Sequence, residues 1–220
     1  MPLCGGRLRV SSVTVMHAPV PDSQQPHRDP TEWGRLIESL DVASIFVVIS
    51  AWLGAHLRAT VSVDDIWQET LWRSWRDRHQ HDWQGLARFR SWLLSIAHNR
   101  VRDAGRSASR KKRGGDQHTT PFSALGPDSV SAMLPPGSTT PSRVMGHHER
   151  AVAMEKALDT LAPELRQIVH MRLFEEIPMR DVATRLDLPL STAKERLLRG
   201  VTRYRRTLST LLGGDSVAGA

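Results

Sequence analysis

Residues 107–149 form a long internal run rich in Ser, Thr, Gly and Pro, with no helical or strand periodicity. The run contains Leu134-Pro135-Pro136-Gly137, a combination that interrupts any regular element. Patterned sequence lies on both sides, and all seven Trp lie at or before Trp92. This arrangement predicts two unlike small domains joined by a flexible linker, instead of one core.

The patterned parts predict an all-α chain, because no stretch alternates apolar and polar residues as a strand does. Residues 31–106 predict an N-terminal helical bundle, and residues 150–212 predict a four-helix C-terminal domain. Residues 1–30 are rich in Pro, Ser and Gln, and residues 213–220 are mostly small. We predict that both terminal segments are disordered.

Two helix starts can be placed in the N-terminal half. Thr31 is predicted to cap the first helix, and Ser62 with Asp65 three positions later resembles a capping box. Further along, apolar residues from Phe89 to Val101 recur with gaps that place them on one helical face. The half therefore predicts several helices packed through apolar stripes.

The C-terminal half has the plan of a helix-turn-helix. Short helices around Pro163 and Pro178 precede a turn and a longer helix that begins near Ser191. Six basic residues and one acidic residue lie from Ser191 to Arg206. The inner stripe of that helix is predicted to be Ala193, Leu197, Val201, Tyr204 and Leu208. A helix that enters a DNA major groove needs such an outer face of cations.

Lys and Arg outnumber Asp and Glu by 30 to 23, a net charge of +7, which suits a polyanionic partner. Cys4 is the only Cys, which excludes an internal disulfide and a Cys-based zinc site, and we predict no metal and no cofactor. The longest apolar stretch, residues 42–53, is shorter than the ~20 residues of a membrane span. We predict no membrane insertion and a cytoplasmic location.

A second basic cluster runs from Arg100 to Arg113, with seven basic residues and one acidic residue. It follows aromatic sequence, and aromatic rings beside Arg suit unpaired nucleic-acid bases. Trp83 and Phe89 are candidates to contact such bases. The alternative is that tryptophans fill the core of the bundle, which we favour for Trp67, Trp72, Trp75 and Trp92.

The sequence Asp65-Ile66-Trp67-Gln68-Glu69-Thr70, followed by the stretch from Phe89 to Arg100, resembles region 2 of bacterial RNA polymerase sigma factors of the extracytoplasmic-function (ECF) group. The stretch from Ala157 to Arg206 resembles their region 4, in the expected order after a linker. The resemblance implies a protein that binds core RNA polymerase and directs it to promoter DNA to initiate transcription.

The resemblance also implies roles for individual residues. The helix with the D-x-x-Q-E pattern would dock on polymerase through Asp65, Gln68, Glu69, Leu71 and Arg73. The loop and helix that follow would open the downstream promoter element and hold its non-template strand through Trp83, Arg88, Arg90, His98, Asn99, Arg100 and Arg102. Region 4 would read the upstream element as duplex through Ser191, Thr192, Lys194, Glu195, Arg196 and Arg199.

This sequence departs from the family pattern in and after the turn. Asp187 stands where the family often has Gly, and Ser191-Thr192-Ala193 stands where it often has Gly-Thr-Val. Glu195 replaces a small polar or basic residue, and a carboxylate there can accept a hydrogen bond from cytosine N4 but repels phosphate. These departures bear on the promoter sequence that is read, not on the binding mode.

Two other functions are compatible with a helix-turn-helix. One is a stand-alone transcriptional regulator, and the other is a DNA-processing enzyme. The acidic helix from Asp64 to Glu69 favours the sigma factor, because a regulator needs no docking face on its other domain. The resemblance implies no catalytic residue, so we predict no enzyme, and it implies an anti-sigma protein as a further partner.

Overall fold

The computed structural model describes residues 25–112 and 141–213, and in them every regular element is helical. The helices are α1 (Pro30–Ser39), α2 (Val42–Arg58), α3 (Val63–Arg76), α4 (Leu86–Lys112), α5 (Pro141–Asp159), α6 (Pro163–Val169), α7 (Met179–Arg185) and α8 (Leu190–Gly213). Short 3-10 turns occupy Pro26–Arg28 and Arg78–Gln80, and a π-helical turn occupies His170–Phe174. The predicted all-α class is confirmed.

The central helix of the N-terminal half is α2. Every residue from Val42 to Ser50 is buried, because α3 and α4 pack on this helix from within the same half and α5 packs on it from the other. A helix that is apolar all round needs neighbours all round. In the described residues no single helix is long and apolar enough to cross a membrane, and α1 with α2 reaches that length and composition only as a pair bent by 74°.

The two predicted helix starts have different outcomes. The capping box of α3 is confirmed, since Ser62 Oγ accepts from the Asp65 N–H at 3.0 Å and Asp65 Oδ2 accepts from the Ser62 N–H at 3.3 Å. The prediction for Thr31 is wrong, because Asp29 caps α1 by accepting the Thr31 N–H at 2.7 Å. Pro30 occupies the first helical position, where its fixed φ suits a helix start.

The ends of the predicted disordered and linker segments are folded where the structure describes them. Residues 25–30, within the predicted disordered segment 1–30, form a 3-10 turn and the start of α1. Helix α4 continues to Lys112 and α5 begins at Pro141, so both ends of the predicted linker 107–149 are helical. Residues 1–24, 113–140 and 214–220 lie outside the described residues. The predictions of disordered ends and a flexible linker remain predictions for these residues.

In the C-terminal half, α5 to α8 form a compact helical unit. Pro163 begins α6, as predicted. Helices α6 and α8 approach closely at Gly200, where an added Cβ would lie 2.6 Å from Val169 Cγ2. Such an approach is open only to Gly. It sets α8 against α6 and leaves the opposite side of α8 to solvent.

The two halves also pack against each other, and their buried residues form one continuous core. The Phe46 ring on α2 lies 5.0 Å from the ring of His148 on α5. The Nε2 atom of His148 lies 2.6 Å from Asp64 Oδ2, and Arg143 pairs with Glu38. The prediction of two helical domains is confirmed, and only the expectation that they share no core differs from the structure, because the apolar outer face of α2 is covered by α5.

Candidate nucleic-acid interfaces

The first candidate surface is the solvent side of α8. Its inner side is fixed by Ala193, Gly200 and Tyr204, all of them buried, and burial raises the pKa of Tyr204 to about 12. Of the six predicted contacts, Ser191, Lys194, Glu195 and Arg199 are exposed, and Thr192 and Arg196 are half-buried. The later cations Arg203, Arg205 and Arg206 are also exposed. The structure thus brings all six predicted residues onto one helix.

The turn before α8 orients that helix against α7. Asp187 has a φ of +50°, a left-handed conformation that Gly adopts freely and that Asp tolerates better than most residues. The Leu188 N–H donates to the Ala183 carbonyl at 2.9 Å. The family's frequent Gly at this position therefore has a physical reason, and Asp187 keeps the same turn.

The second candidate surface is one side of α4. Arg88, His98, Asn99 and Arg102 are exposed, which leaves their polar groups accessible to a polyanion. Arg100 is held instead, because its guanidinium lies 2.5 Å from Glu69 Oε2 and 3.1 Å from Asp103 Oδ2.

Arg90 differs from the other predicted contacts because it is buried, with 6% of its surface exposed. It donates to the Phe174 carbonyl at 2.7 Å and to Ser44 Oγ at 3.2 Å, and it lies 3.4 Å from the Glu176 carboxylate. Burial lowers the pKa of this guanidinium, while Glu176 and Asp41 act in the opposite direction. In this arrangement Arg90 joins the two halves and does not face solvent.

The loop between α3 and α4, residues 77–85, leads directly into α4. Trp83 is half-buried and turned inward, with its ring stacked on the ring of His27 at 5.8 Å. The side chains that the loop presents to solvent are instead His79, Gln80, Asp82 and Gln84. Sequence reasoning missed these four and His27. An alternation of polar and aromatic residues from Gln80 to Gln84 was the signal available.

The predicted docking helix α3 carries a mixture of surface and core residues. Asp65 serves in the capping box, and Gln68 is half-buried. Glu69 pairs with Arg73 at 3.1 Å and with Arg100 on α4. Leu71 is fully buried, so it supports the helix from inside and has no exposed surface for a partner. This helix presents acidic and amide groups on a rigid, capped element.

No group of three or more His, Cys, Asp or Glu side chains suited to a metal ion occurs in the part of the chain that the structure describes.

Comparison with known proteins gives two family matches. Sigma-70 region 2 matches residues 48–111, and Sigma-70, region 4, matches residues 151–203. The ECF RNA polymerase sigma factor SigL of Mycobacterium tuberculosis is 31% identical over 151 residues, which cover 67% of this chain and 75% of SigL. The RNA polymerase sigma factor HrpL of Pseudomonas syringae pv. syringae is 23% identical over 161 residues, which cover 73% of this chain and 81% of HrpL.

The matches cover both candidate surfaces, α4 in region 2 and α8 in region 4. A stand-alone regulator is not favoured, because a helix-turn-helix alone would leave the region 2 match without a role. With both regions in order and a relative of this similarity, the chain belongs to the ECF sigma factors, which direct RNA polymerase to specific promoters.

Proposed function

We propose that residues 31–106 and 150–212 act as two separate reading units of this sigma factor. The first docks on core RNA polymerase and holds the melted downstream element, and the second reads the upstream element as duplex. Core RNA polymerase and promoter DNA are the partners that the family implies. The chain contributes binding and strand opening, and the polymerase contributes the chemistry of RNA synthesis.

The observation that carries the proposal is the exposed basic side of α8 over a buried inner side. Lys194 and Arg199 project from a helix whose register is held by Ala193, Gly200 and Tyr204. Such a helix fits a major groove about 12 Å wide, where Arg can pair with guanine and Lys with guanine or phosphate. Ser191, Thr192, Glu195 and Arg196 complete the proposed contacts in the first turns.

The exposed groups of α4 support the second part of the proposal. Arg88, His98, Asn99 and Arg102 face solvent on one helix, and the loop before it exposes Gln80, Asp82 and Gln84, while the Trp83 ring is packed on His27. Single strands bind where cations track the backbone. Arg90 joins these contacts only after the two halves separate, because here its donors are held by Phe174 and Ser44.

Docking on polymerase is proposed for the face of α3 that carries Asp65, Gln68, Glu69 and Arg73. The ion pairs of Glu69 with Arg73 and Arg100 support this face as a rigid surface. Leu71 contributes by packing beneath it.

The paired test uses Arg199→Ala and Gln68→Ala in reconstituted transcription with core polymerase. We expect Arg199→Ala to lower promoter-dependent transcription about tenfold with polymerase affinity unchanged, since one Arg–base pair supplies about that much discrimination. We expect Gln68→Ala to lower polymerase affinity. Adding Glu69→Ala deepens that loss, but it also removes one of the two carboxylates that pair with Arg100, so the single variant is the cleaner measurement.

Arg150→Ala is the matched control for Arg199→Ala, because it removes one exposed Arg from α5 of the same half. It should leave promoter-dependent transcription within twofold of the unchanged protein. Equal loss of polymerase affinity in Arg199→Ala and Gln68→Ala would contradict the division of labour.

We also propose an anti-sigma protein as a partner and a cytoplasmic site of action. Exposed apolar side chains on the C-terminal half support a protein partner: they are Met145, Val152, Leu173, Leu190, Leu198, Leu211 and Leu212. Purification from the source organism under mild conditions tests the proposal, and a complex that contains only polymerase subunits would contradict it.

A further inference from the structure

Residues 26–28 lie outside the region 2 match, which begins at residue 48. They nevertheless bind the loop of residues 77–85, which connects α3 to α4. His27 is fully buried, and its Nε2 lies 3.0 Å from the Arg78 carbonyl and 2.8 Å from the His81 carbonyl. Because both partners are acceptors, Nε2 must carry the ring proton. Arg28 Nη2 donates to the His79 carbonyl at 3.2 Å. Two adjacent side chains thus hold three carbonyls of the loop.

Aromatic rings extend these contacts into a stack beneath the loop. The His27 ring stacks on Trp83 at 5.8 Å and meets the His81 ring edge-on at 5.2 Å. The His81 ring stacks on Trp92 of α4 at 4.5 Å. His27 therefore contacts two of the three ring-bearing residues of the loop, His81 and Trp83, and His81 ties that loop to α4.

Hydrogen bonding explains why a histidine occupies this position. Residues 77–85 contain a short 3-10 turn and no longer element, so much of their backbone needs partners from elsewhere. An apolar side chain of the same size would fill the space but leave the carbonyls of Arg78 and His81 without these donors. Burial lowers the pKa of His27, while the hydrogen bonds to the His81 and Arg78 carbonyls act in the opposite direction.

We propose that His27 is a positioning residue for strand capture: the turn Pro26–Arg28 clamps residues 77–85 in the conformation that receives unpaired bases of the non-template strand. This inference rests on the proposed function of that loop. A loop that is already ordered loses less conformational entropy when it binds. With the carbonyls held inward, Gln80, Asp82 and Gln84 remain on the solvent side, where base edges can reach them.

The test compares His27→Phe, which keeps an aromatic ring without a donor, with His27→Gln, whose amide N–H can replace Nε2–H. His56→Phe is the matched control, because His56 is exposed on α2. Each full-length protein is assembled with core polymerase and mixed with a single-stranded DNA pool randomised over about ten positions. The bound DNA is sequenced, and amide hydrogen exchange of residues 77–85 is measured on the free proteins.

We expect His27→Phe to reduce the enrichment of the preferred bases about tenfold and to speed exchange in residues 77–85 about tenfold. His27→Gln should recover most of both, and His56→Phe should match the unchanged protein. Polymerase affinity should stay within twofold throughout, which separates loop positioning from general damage.

The clamp is overturned if His27→Phe matches the unchanged protein, if His27→Gln falls as far as His27→Phe, or if polymerase affinity falls in parallel. If the unchanged protein on core polymerase enriches no sequence from the pool, the proposed binding of single-stranded DNA by this loop is itself overturned. Protected amides in residues 77–85 would then show that the contacts of His27 order the loop for another reason.

Discussion

At the scale of single residues, Asp187 is held in a conformation that few side chains adopt. Its φ is +50° in the turn between α7 and α8. A left-handed conformation costs an ordinary L-residue roughly 1–2 kcal/mol, and Gly avoids that cost because it has no Cβ. The orientation of α8 therefore depends on a residue that carries some backbone strain.

We predict that Asp187→Gly raises the free energy of unfolding by about 0.5–1 kcal/mol. Gly removes the backbone strain of the left-handed conformation, and this gain is partly offset because unfolded Gly has more conformational entropy to lose on folding. Asp187→Ala should lower it, because Ala lacks the tolerance of Asp for this region. Urea unfolding of both variants is the measurement. A lower stability for Asp187→Gly than for Asp187→Ala would contradict this account of the turn.

Three histidines, the buried His27 and the half-buried His81 and His147, contribute to the pH dependence of stability near pH 6. Burial is the main cause that lowers the pKa of His27, His81 and His147 below 6.5. Arg28 adds to this effect at the first two, while Asp82 opposes it at His81 and Asp41 opposes it at His147. The folded protein therefore binds fewer protons than the unfolded chain just below pH 6.5.

It follows that stability is fully present above pH 6.5 and is lost as the pH falls through the lowered values. We expect the urea midpoint to decrease between pH 7 and pH 5.5. His27→Gln, which cannot titrate, should show a smaller decrease over the same range. An equal decrease in His27→Gln and in the unchanged protein would show that His27 does not contribute.

Residue types alone predict chemistry better than they predict exposure. The six contacts proposed on α8 all lie on that helix as predicted, because its apolar residues recur strictly at helical spacing. Leu71 and Arg90 were predicted as contacts with partners, but both are buried. The burial of Arg90 depends on Phe174 and Glu176, which are more than 80 positions away. No local pattern can reveal such a contact.

At the scale of elements, the close approach of α6 and α8 fixes the direction of α8, the helix proposed to read DNA. Gly200 provides it, since a Cβ there would lie 2.6 Å from Val169 Cγ2 and 3.4 Å from the Leu165 carbonyl oxygen. Both Val169 and Leu165 are buried, so neither has room to move away. The start of a helix, in contrast, is fixed by neighbouring residues, as the cap of Asp29 on α1 shows.

We predict that Gly200→Ala lowers the free energy of unfolding by about 1 kcal/mol. Overpacking in a core costs about 1–3 kcal/mol, and the better helix propensity of Ala returns about 1 kcal/mol. Gly146→Ala in α5 is the control, because nothing lies within 4 Å of an added Cβ there, and it should be stabilising. Stabilisation of equal size in both variants would contradict the close approach.

Most elements follow from sequence, and the exceptions have physical reasons. Apolar periodicity and caps predict α3 and α8 because these signals are local. The extension of α4 to Lys112 was not predicted, because its last turns lack an apolar stripe and resemble a linker in composition. The π-helical turn His170–Phe174 follows from tertiary contacts, among them the Phe174 ring against Tyr204 at 5.9 Å. The folded conformation of residues 26–28 likewise depends on hydrogen bonds to carbonyls more than 50 positions away, in the loop of residues 77–85.

At the scale of the whole molecule, the packing of the two halves constrains how both promoter elements are read. Contacts of α5 with α2, the pair of His148 with Asp64 and the hydrogen bonds of Arg90 hold the halves together. The resemblance to the family implies promoter elements about two helical turns apart, which is roughly 70 Å at about 34 Å per turn. Under the proposed function, simultaneous reading of both elements therefore requires that the two halves separate.

Energy transfer between dyes on the two halves tests this account most directly. Cys4→Ser with Ala51→Cys and Ser209→Cys places the dyes on exposed positions of α2 and α8, and the labelled protein must still support transcription. We predict high transfer in the free protein and a loss of transfer on core polymerase, as the dyes move toward ~70 Å. Unchanged transfer in a complex that initiates transcription at its promoters would contradict the account.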